Sequence, residues 1–280
     1  MPINKMFFAQ NVMPVPLPEP PEPDPDPDPG DPDPPIINPC ANHTEAHPRW
    51  DDAGHNSYGS DWFGFKALPG GFRTKTGAFR YIGSGGYWWS STEHFPALFW
   101  NRIMFHSKGD VFRMPINESS GLSIRLLRDP NPFTNEHIDP DGTVYQNDYE
   151  DGSGNRYDSV KIGDQIWTMK NLRTNKYQNG DDIATGLSGE QWAETTEGAC
   201  AGYPASLVDG IVLDSSVIAA YGKLYNLHAV TNGLVTGSYW VPSDEEWAEL
   251  TDYLILQYDL DESNVAMVLK SCRQVNHPLA

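Results

Sequence analysis

Cations are scarce in this chain, cysteines are few, and long apolar runs are missing. Lysine and arginine together number 19 against 38 acidic residues, giving a net charge of −19 and an isoelectric point near 4.6. A surface this acidic repels a phosphate backbone, which excludes nucleic-acid binding by charge. No stretch approaches the roughly 18 consecutive apolar residues of a membrane-crossing helix, so no membrane insertion is expected. The start, MPINKMFFAQNVMPVPLPEP, has one lysine and an apolar patch, Met6 to Ala9, too short for the core of a secretory signal. No signal peptide is recognised, and export then needs another route or a larger particle. Three cysteines, Cys40, Cys200 and Cys272, form neither a disulfide framework nor a metal-ligand spacing. They fit one bridge with a spare thiol, or three reduced thiols.

Catalytic signatures are also missing. There is no nucleophile elbow, phosphate loop or zinc-protease helix. The GSGG at 83–86 lacks the lysine and hydroxyl of a phosphate loop and reads as a turn between strands. The eight histidines are dispersed; the one pair four apart, His43 and His47, lies in a loop bounded by Asn and Pro. Asp148, Glu150, Asp151 and Asn155 are the nearest approach to a metal loop, but their spacing is not that of a calcium loop, and a solvated turn is expected. No cofactor, metal or enzymatic activity is therefore expected.

What is present is a folded body on an extended lead. Residues 14–39, PVPLPEPPEPDPDPDPGDPDPPIINP, alternate proline with acid. Proline fixes φ and removes a donor, and neighbouring aspartates repel, so 1–39 reads as a tail and a semi-rigid polyproline spacer. Over the whole chain, 39% hydrophobic and 12% aromatic residues, nine of them Trp, suffice for a sizeable core. Residues 40–129 carry strand-like runs, GFKALPGGFR, GAFRYIG, GYWWSST and GLSIRLLR, separated by glycine turns. A turn-rich linker covers 130–140. Over 141–280, YDSVKIGDQIWTMKNL reads as two strands about Gly163-Asp164, and YGKLYNLHAV as a short helix. VPSDEEWAELTDYLILQY is the clearest helix, with Ser243 and Glu246 forming a capping box. A second helix is expected over ESNVAMVLKSC.

The motifs YDSVKIGDQIWTMKNL, YGKLYNLHAV, YWVPSDEEWAELTDYL and MVLKS resemble the first part of the Fibrobacter succinogenes major paralogous domain family. FGFKALPGGFR, GAFRYIGSGGYWWSSTE and GLSIRLLRD resemble its last part. The resemblance covers nearly everything from 47 to 275, but the family's last part here comes first, as in a circular permutation. It implies an α+β, C-type-lectin-like domain over 40–280, with short twisted antiparallel strands, two helices and many loops. The two blocks should fold as one domain, with exchange of blocks between chains as the alternative. The permuted order brings Cys40 and Cys272 to the same reopened loop, where a disulfide would re-close it. Enzymatic cousins of the fold need late reactive cysteines that 41–199 lack, and the sugar-binding calcium motifs are absent.

Several relatives are targets of diversity-generating retroelements, whose variable segment follows the Trp-Trp-Ser motif. That places a contact set over 95–118, FPALFWNRIMFHSKGDVFRMPINE, where no sustained period is visible. The expected ligand-contacting residues are Phe95, Leu98, Phe99, Ile103, Phe105, His106, Ser107, Lys108, Phe112, Met114, Ile116, Asn117 and Glu118. Trp88, Trp89, Trp100, Asn101, Arg102 and Arg113 form the scaffold beneath them. The implied function is non-enzymatic binding of a protein or glycan receptor on a cell surface, by a protein displayed on a phage particle or bacterial surface. The alternative is a structural or adhesive module whose aromatics are core or a homo-oligomer interface.

Overall fold

A computed structural model describes residues 47–51, 59–235 and 237–272, all within one compact unit spanning 38–280. The spacer, Cys40, His43 and residues 273–280 lie outside the described residues. The fold is α+β, built on two curled sheets.

The first sheet has strands β1 (Gly70–Arg73), β2 (Phe79–Ile82), β3 (Gly85–Phe95), β4 (Leu98–Phe105) and β5 (Phe112–Asn117), in the order β2-β1-β3-β4-β5. All neighbours run antiparallel except β1 and β3. β3 turns into β4 within two residues, Pro96 and Ala97; Ala97 takes the left-handed conformation (φ 63°) that such a tight hairpin demands. The second sheet holds β6 (Leu127–Arg128), β7 (Val144–Glu150), β8 (Arg156–Ile162) and β9 (Gln165–Thr168), in the order β6-β9-β8-β7. The β8–β9 hairpin turns at Gly163, whose φ of 59° and close approach to the Tyr253 ring leave no room for a side chain. A two-stranded ribbon pairs β10 (Cys200–Ala201) with β11 (Leu224–Tyr225).

Among the described residues five α-helices accompany the sheets, not the expected two: α1 (Gly189–Glu194), α2 (Asp214–Tyr221), α3 (Leu227–Thr231), α4 (Asp244–Gln257) and α5 (Val265–Leu269). α4 starts where its capping box places it. The Ser243 hydroxyl accepts from Glu246 N–H at 3.1 Å, and the Glu246 carboxylate from Ser243 N–H at 2.6 Å. The YGKLYNLHAV helix is corrected: the chain leaves α2 at Tyr221, turns at Gly222 (φ 81°), runs as β11 and re-enters a helix at Leu227 under an Asn226 cap. None of the described helices is long and apolar enough to cross a membrane.

Both sequence blocks contribute to the same cores. Trp50, Phe65, Trp88 and Met104 pack with Trp167, Trp247, Leu254 and Leu269. Within this cluster the Trp167 and Trp247 ring centroids lie 4.6 Å apart, and those of Phe65 and Trp167 5.6 Å. A second cluster joins Tyr87, Trp89, Ile103 and Ile124 with Tyr157, Tyr225 and Tyr239. Backbone pairing crosses the blocks as well, β6 lying against β9. Arg125, wholly buried, donates to the carbonyls of Phe65 and Thr168 and to Asn171 Oδ1. Burial pushes its guanidinium pKa down to about 9.

Candidate functional site

The stretch 95–118 is not irregular. It is a β-hairpin, β4 and β5, continuing the β3 edge in register: Tyr87 opposes Ile103, which opposes Phe112. Successive strand residues point to opposite faces. Phe99, Asn101, Ile103 and Phe105 therefore share a face with Phe112, Met114 and Ile116. Trp100, Arg102 and Met104 share the other face with Arg113. Both faces of β4 carry large apolar groups because both are covered, so no polar–apolar alternation marks the strand.

The first face holds six of the thirteen expected contact residues, and it divides them. Ile103 is only 4% exposed and belongs to the core, so it leaves the contact set. Phe99, Phe105, Phe112 and Ile116 are half-buried against that core. Met114 is 52% and Phe95 66% exposed; Ser107 and Lys108 are exposed in the turn after β4. Leu98 and His106 are half-buried. Asn117 is tied to the β3–β4 turn, its amide donating to Ala97 O at 3.3 Å while its oxygen accepts from Ser119 N–H at 3.1 Å. Glu118, also half-buried, has its backbone paired to Ala97 and Leu227.

The same face continues across the sheet as a ladder of rings. Phe112 meets Phe105 with centroids 5.5 Å apart, Phe105 meets Tyr87 at 6.1 Å, Tyr87 meets Phe72 at 4.7 Å and Phe72 meets Tyr81 at 5.9 Å. Tyr81 is 54% exposed. Phe72 and Tyr81 were not among the expected contact residues. Their signal was present in the runs GFKALPGGFR and GAFRYIG, whose strands β1 and β2 extend the sheet on the far side of β3 from the hairpin.

The scaffold residues occupy defined places. Trp88 Nε1 donates to Asn171 Oδ1 at 2.9 Å, and Trp89 Nε1 to Tyr225 O at 2.7 Å. Asn101 ties β4 to β5, its amide donating to Met114 O at 2.6 Å. Trp100 lies between two groups, with the His94 ring centroid 4.2 Å away and the Arg113 guanidinium carbon 3.5 Å from its centroid. Arg113 also makes a two-pronged contact through Nε to both Asp244 oxygens, and buried Arg102 grips the same carboxylate. Burial pushes the Asp244 carboxyl up, but the hydrogen bonds from Arg113 and Arg102 outweigh it and hold it below the usual carboxylate range. Asp244 opens α4, and its N–H donates to Thr92 Oγ1 at 2.9 Å. The helix N-terminus thus clamps β3, β4 and β5, a role that sequence reasoning did not assign to Asp244.

Residues 160–272 match the model of the Fibrobacter succinogenes major domain family. The matched segment includes the last three residues of β8, all of β9 and the five described helices, so it supplies the α4 clamp, while the ringed hairpin lies in the block outside the match. No curated protein and no solved structure matches the chain.

Other expectations fared variously. The 148–155 turn is not simply solvated: Asp151 is buried, accepting from Ser153 N–H, Asn155 N–H and the Tyr157 hydroxyl. Asp148 accepts from Arg128 and Tyr239. Among the described residues no cluster of His, Cys, Asp and Glu is placed to hold a metal ion. His47 bonds Tyr221 OH and Asp209 O through its two ring nitrogens. Cys272 is buried, and Cys200 is a buried free thiol that burial pushes up to a pKa of about 11.

Proposed function

We propose that the chain is a non-enzymatic receptor-binding module, a permuted C-type-lectin-like domain carried on the Pro-Asp spacer and displayed on a phage particle or bacterial surface. The observation that carries this reading is the ring ladder, half-buried at Phe105 and Phe112 and open at Tyr81, with Met114 exposed on the same face and Phe95 exposed at the far end of the hairpin. Exposed apolar groups of this kind suit a partner, and aromatic side chains supply much of the energy of an interface. The Asp244 clamp holds the hairpin rigid, so little order has to be gained on binding. The partner is a protein or glycan receptor on a cell surface. Retroelement-driven variation would then fall on the exposed positions Phe95 and Ser107, with Ile103 spared.

The test is binding of the purified chain to intact bacterial cells and to a glycan array, comparing wild type with a Tyr81→Ser, Phe95→Ser, Met114→Ser triple variant. Expected is loss of binding with an unchanged melting temperature. Equal binding by the two proteins overturns the assignment of this face. The alternative is a structural or adhesive surface module whose aromatics are core or a homo-oligomer interface; the packing of Phe99, Phe105 and Phe112 onto the core favours its first form, and light scattering tests the second, since a self-association surface makes the same triple variant monomeric.

A further inference from the structure

A second feature lies apart from the ring ladder. A cavity of about 460 Å³ opens among Pro48, the 61–68 loop, α2, Lys170 and Ser271. Leu68 and Met169 give it apolar walls. Asp61 lines it and is only 3% exposed. Asp61 Oδ1 accepts the Lys66 N–H at 2.7 Å, but no described cation forms an ion pair with this carboxylate. Lys66 and buried Arg125 act on it through their charge, but Arg125 gives its donors to the carbonyls of Phe65, Thr168 and Lys66 and to Asn171. His47, also on the wall, has both ring nitrogens engaged with Tyr221 and Asp209. Ser271 lines the same cavity, and its buried Oγ has no hydrogen-bond partner. Lys66 and Lys170 also line it and are exposed.

An unpaired buried carboxyl and an unsatisfied buried hydroxyl are both costly. Two of them in one apolar-walled cavity ask for a donor from outside. We propose that this cavity binds a small primary amine bearing an anionic group at its far end, with Asp61 and Ser271 taking the ammonium and Lys66 and Lys170 the anion. Leu68 and Met169 take the hydrocarbon between them. Such a site has the usual make-up of a small-molecule pocket, apolar walls with a few convergent polar groups. Burial raises the Asp61 pKa to about 7, so an incoming ammonium displaces a proton and affinity rises as pH increases through 7.

The experiment is isothermal titration of the full chain with 6-aminohexanoate, with hexylamine and hexanoate as separate arms. Expected is binding of 6-aminohexanoate, weaker binding of hexylamine and none of hexanoate. Asp61→Asn should weaken both amines by at least about tenfold, the loss of one charged hydrogen bond. Lys170→Ala should weaken 6-aminohexanoate and leave hexylamine unchanged. Ser271→Ala, which keeps the carboxylate, gives an independent loss of about threefold or more. Failure of both amines to bind wild type at about 10 mM, a level that would register even millimolar affinity, overturns the proposal. So does binding by folded Asp61→Asn that equals wild type.

Discussion

Asp61→Asn should stabilise this protein in a pH-dependent way. The folded-state carboxyl has its pKa raised from 3.8 to about 7, with burial the largest cause and the hydrogen bond from Lys66 N–H opposing it. The sign follows from proton binding. Between pH 4 and 7 the folded state keeps a proton that the unfolded chain has released, so the wild type loses stability as pH rises across that window. The advantage of the protonated site is complete below pH 4 and gone above pH 7. About three pKa units correspond to a ceiling of about 4 kcal/mol. An asparagine does not titrate and still offers an oxygen to Lys66 N–H. The variant should therefore match wild type near pH 4.5 and exceed it by about 2–4 kcal/mol at pH 8. Urea unfolding of both proteins at half-unit pH steps measures the difference, in which every other titrating group cancels. A difference that stays flat from pH 4.5 to 8 would falsify the reasoning.

Other consequences are checked by similar means. Replacing Phe99, Phe105 and Phe112 with Ser removes half-buried rings packed on the core and should cost about 1–2 kcal/mol each, whereas Phe95→Ser with Met114→Ser should leave urea unfolding unchanged. Asp244→Ala strands the buried Arg102 guanidinium and should cost about 3–5 kcal/mol; a loss below about 1 kcal/mol would show that the clamp is dispensable. If Cys40 and Cys272 are bonded, titration in denaturant finds one reactive thiol before reduction and three after; three before reduction rules the bond out. A reordered chain with 141–280 leading and 40–129 following should keep nearly the same melting temperature, since even doubling a closed loop costs only about 0.6 kcal/mol. Failure of that chain to fold would count against the permuted reading.

Features written in local chemistry were legible. Ser243 and Glu246 announced α4, and the Gly163 turn announced the β8–β9 hairpin. The capping box of α1, Ser188 with Gln191, was equally readable in SGEQ and was missed because the helix is only six residues long. The Tyr221–Val230 stretch misled because Leu224, Tyr225 and Leu227 mark a buried strand and a helix start as well as they mark one helical face. The site was half legible. Trp100, Asn101, Arg102 and Arg113 lie in the hairpin and Trp88 and Trp89 in the neighbouring β3, and the groups that fix them, Asp244, Tyr225 and Asn171, lie far away in sequence. No periodicity reports a partner 131 residues distant.

The hairpin's missing pattern has a physical cause that bears on function. A strand open on one side writes its orientation into its sequence, polar out and apolar in. β4 is held on one side by the Asp244 clamp and the Trp88 core, and on the other by the Trp89 core. Its neighbour β5 is covered only in part, so Phe112 and Ile116 pack inward while Met114 on the same face stays exposed. Positions free to change without loss of folding are therefore not alternate residues of β4. They lie at the two ends of the hairpin, Phe95 before it and Ser107 and Lys108 after β4, and at Met114 on the outer strand. A contact surface confined to those positions and the open ring of Tyr81 could be remodelled for a new partner while the buried rings beneath it, Phe105 and Phe112 among them, keep the sheet in place.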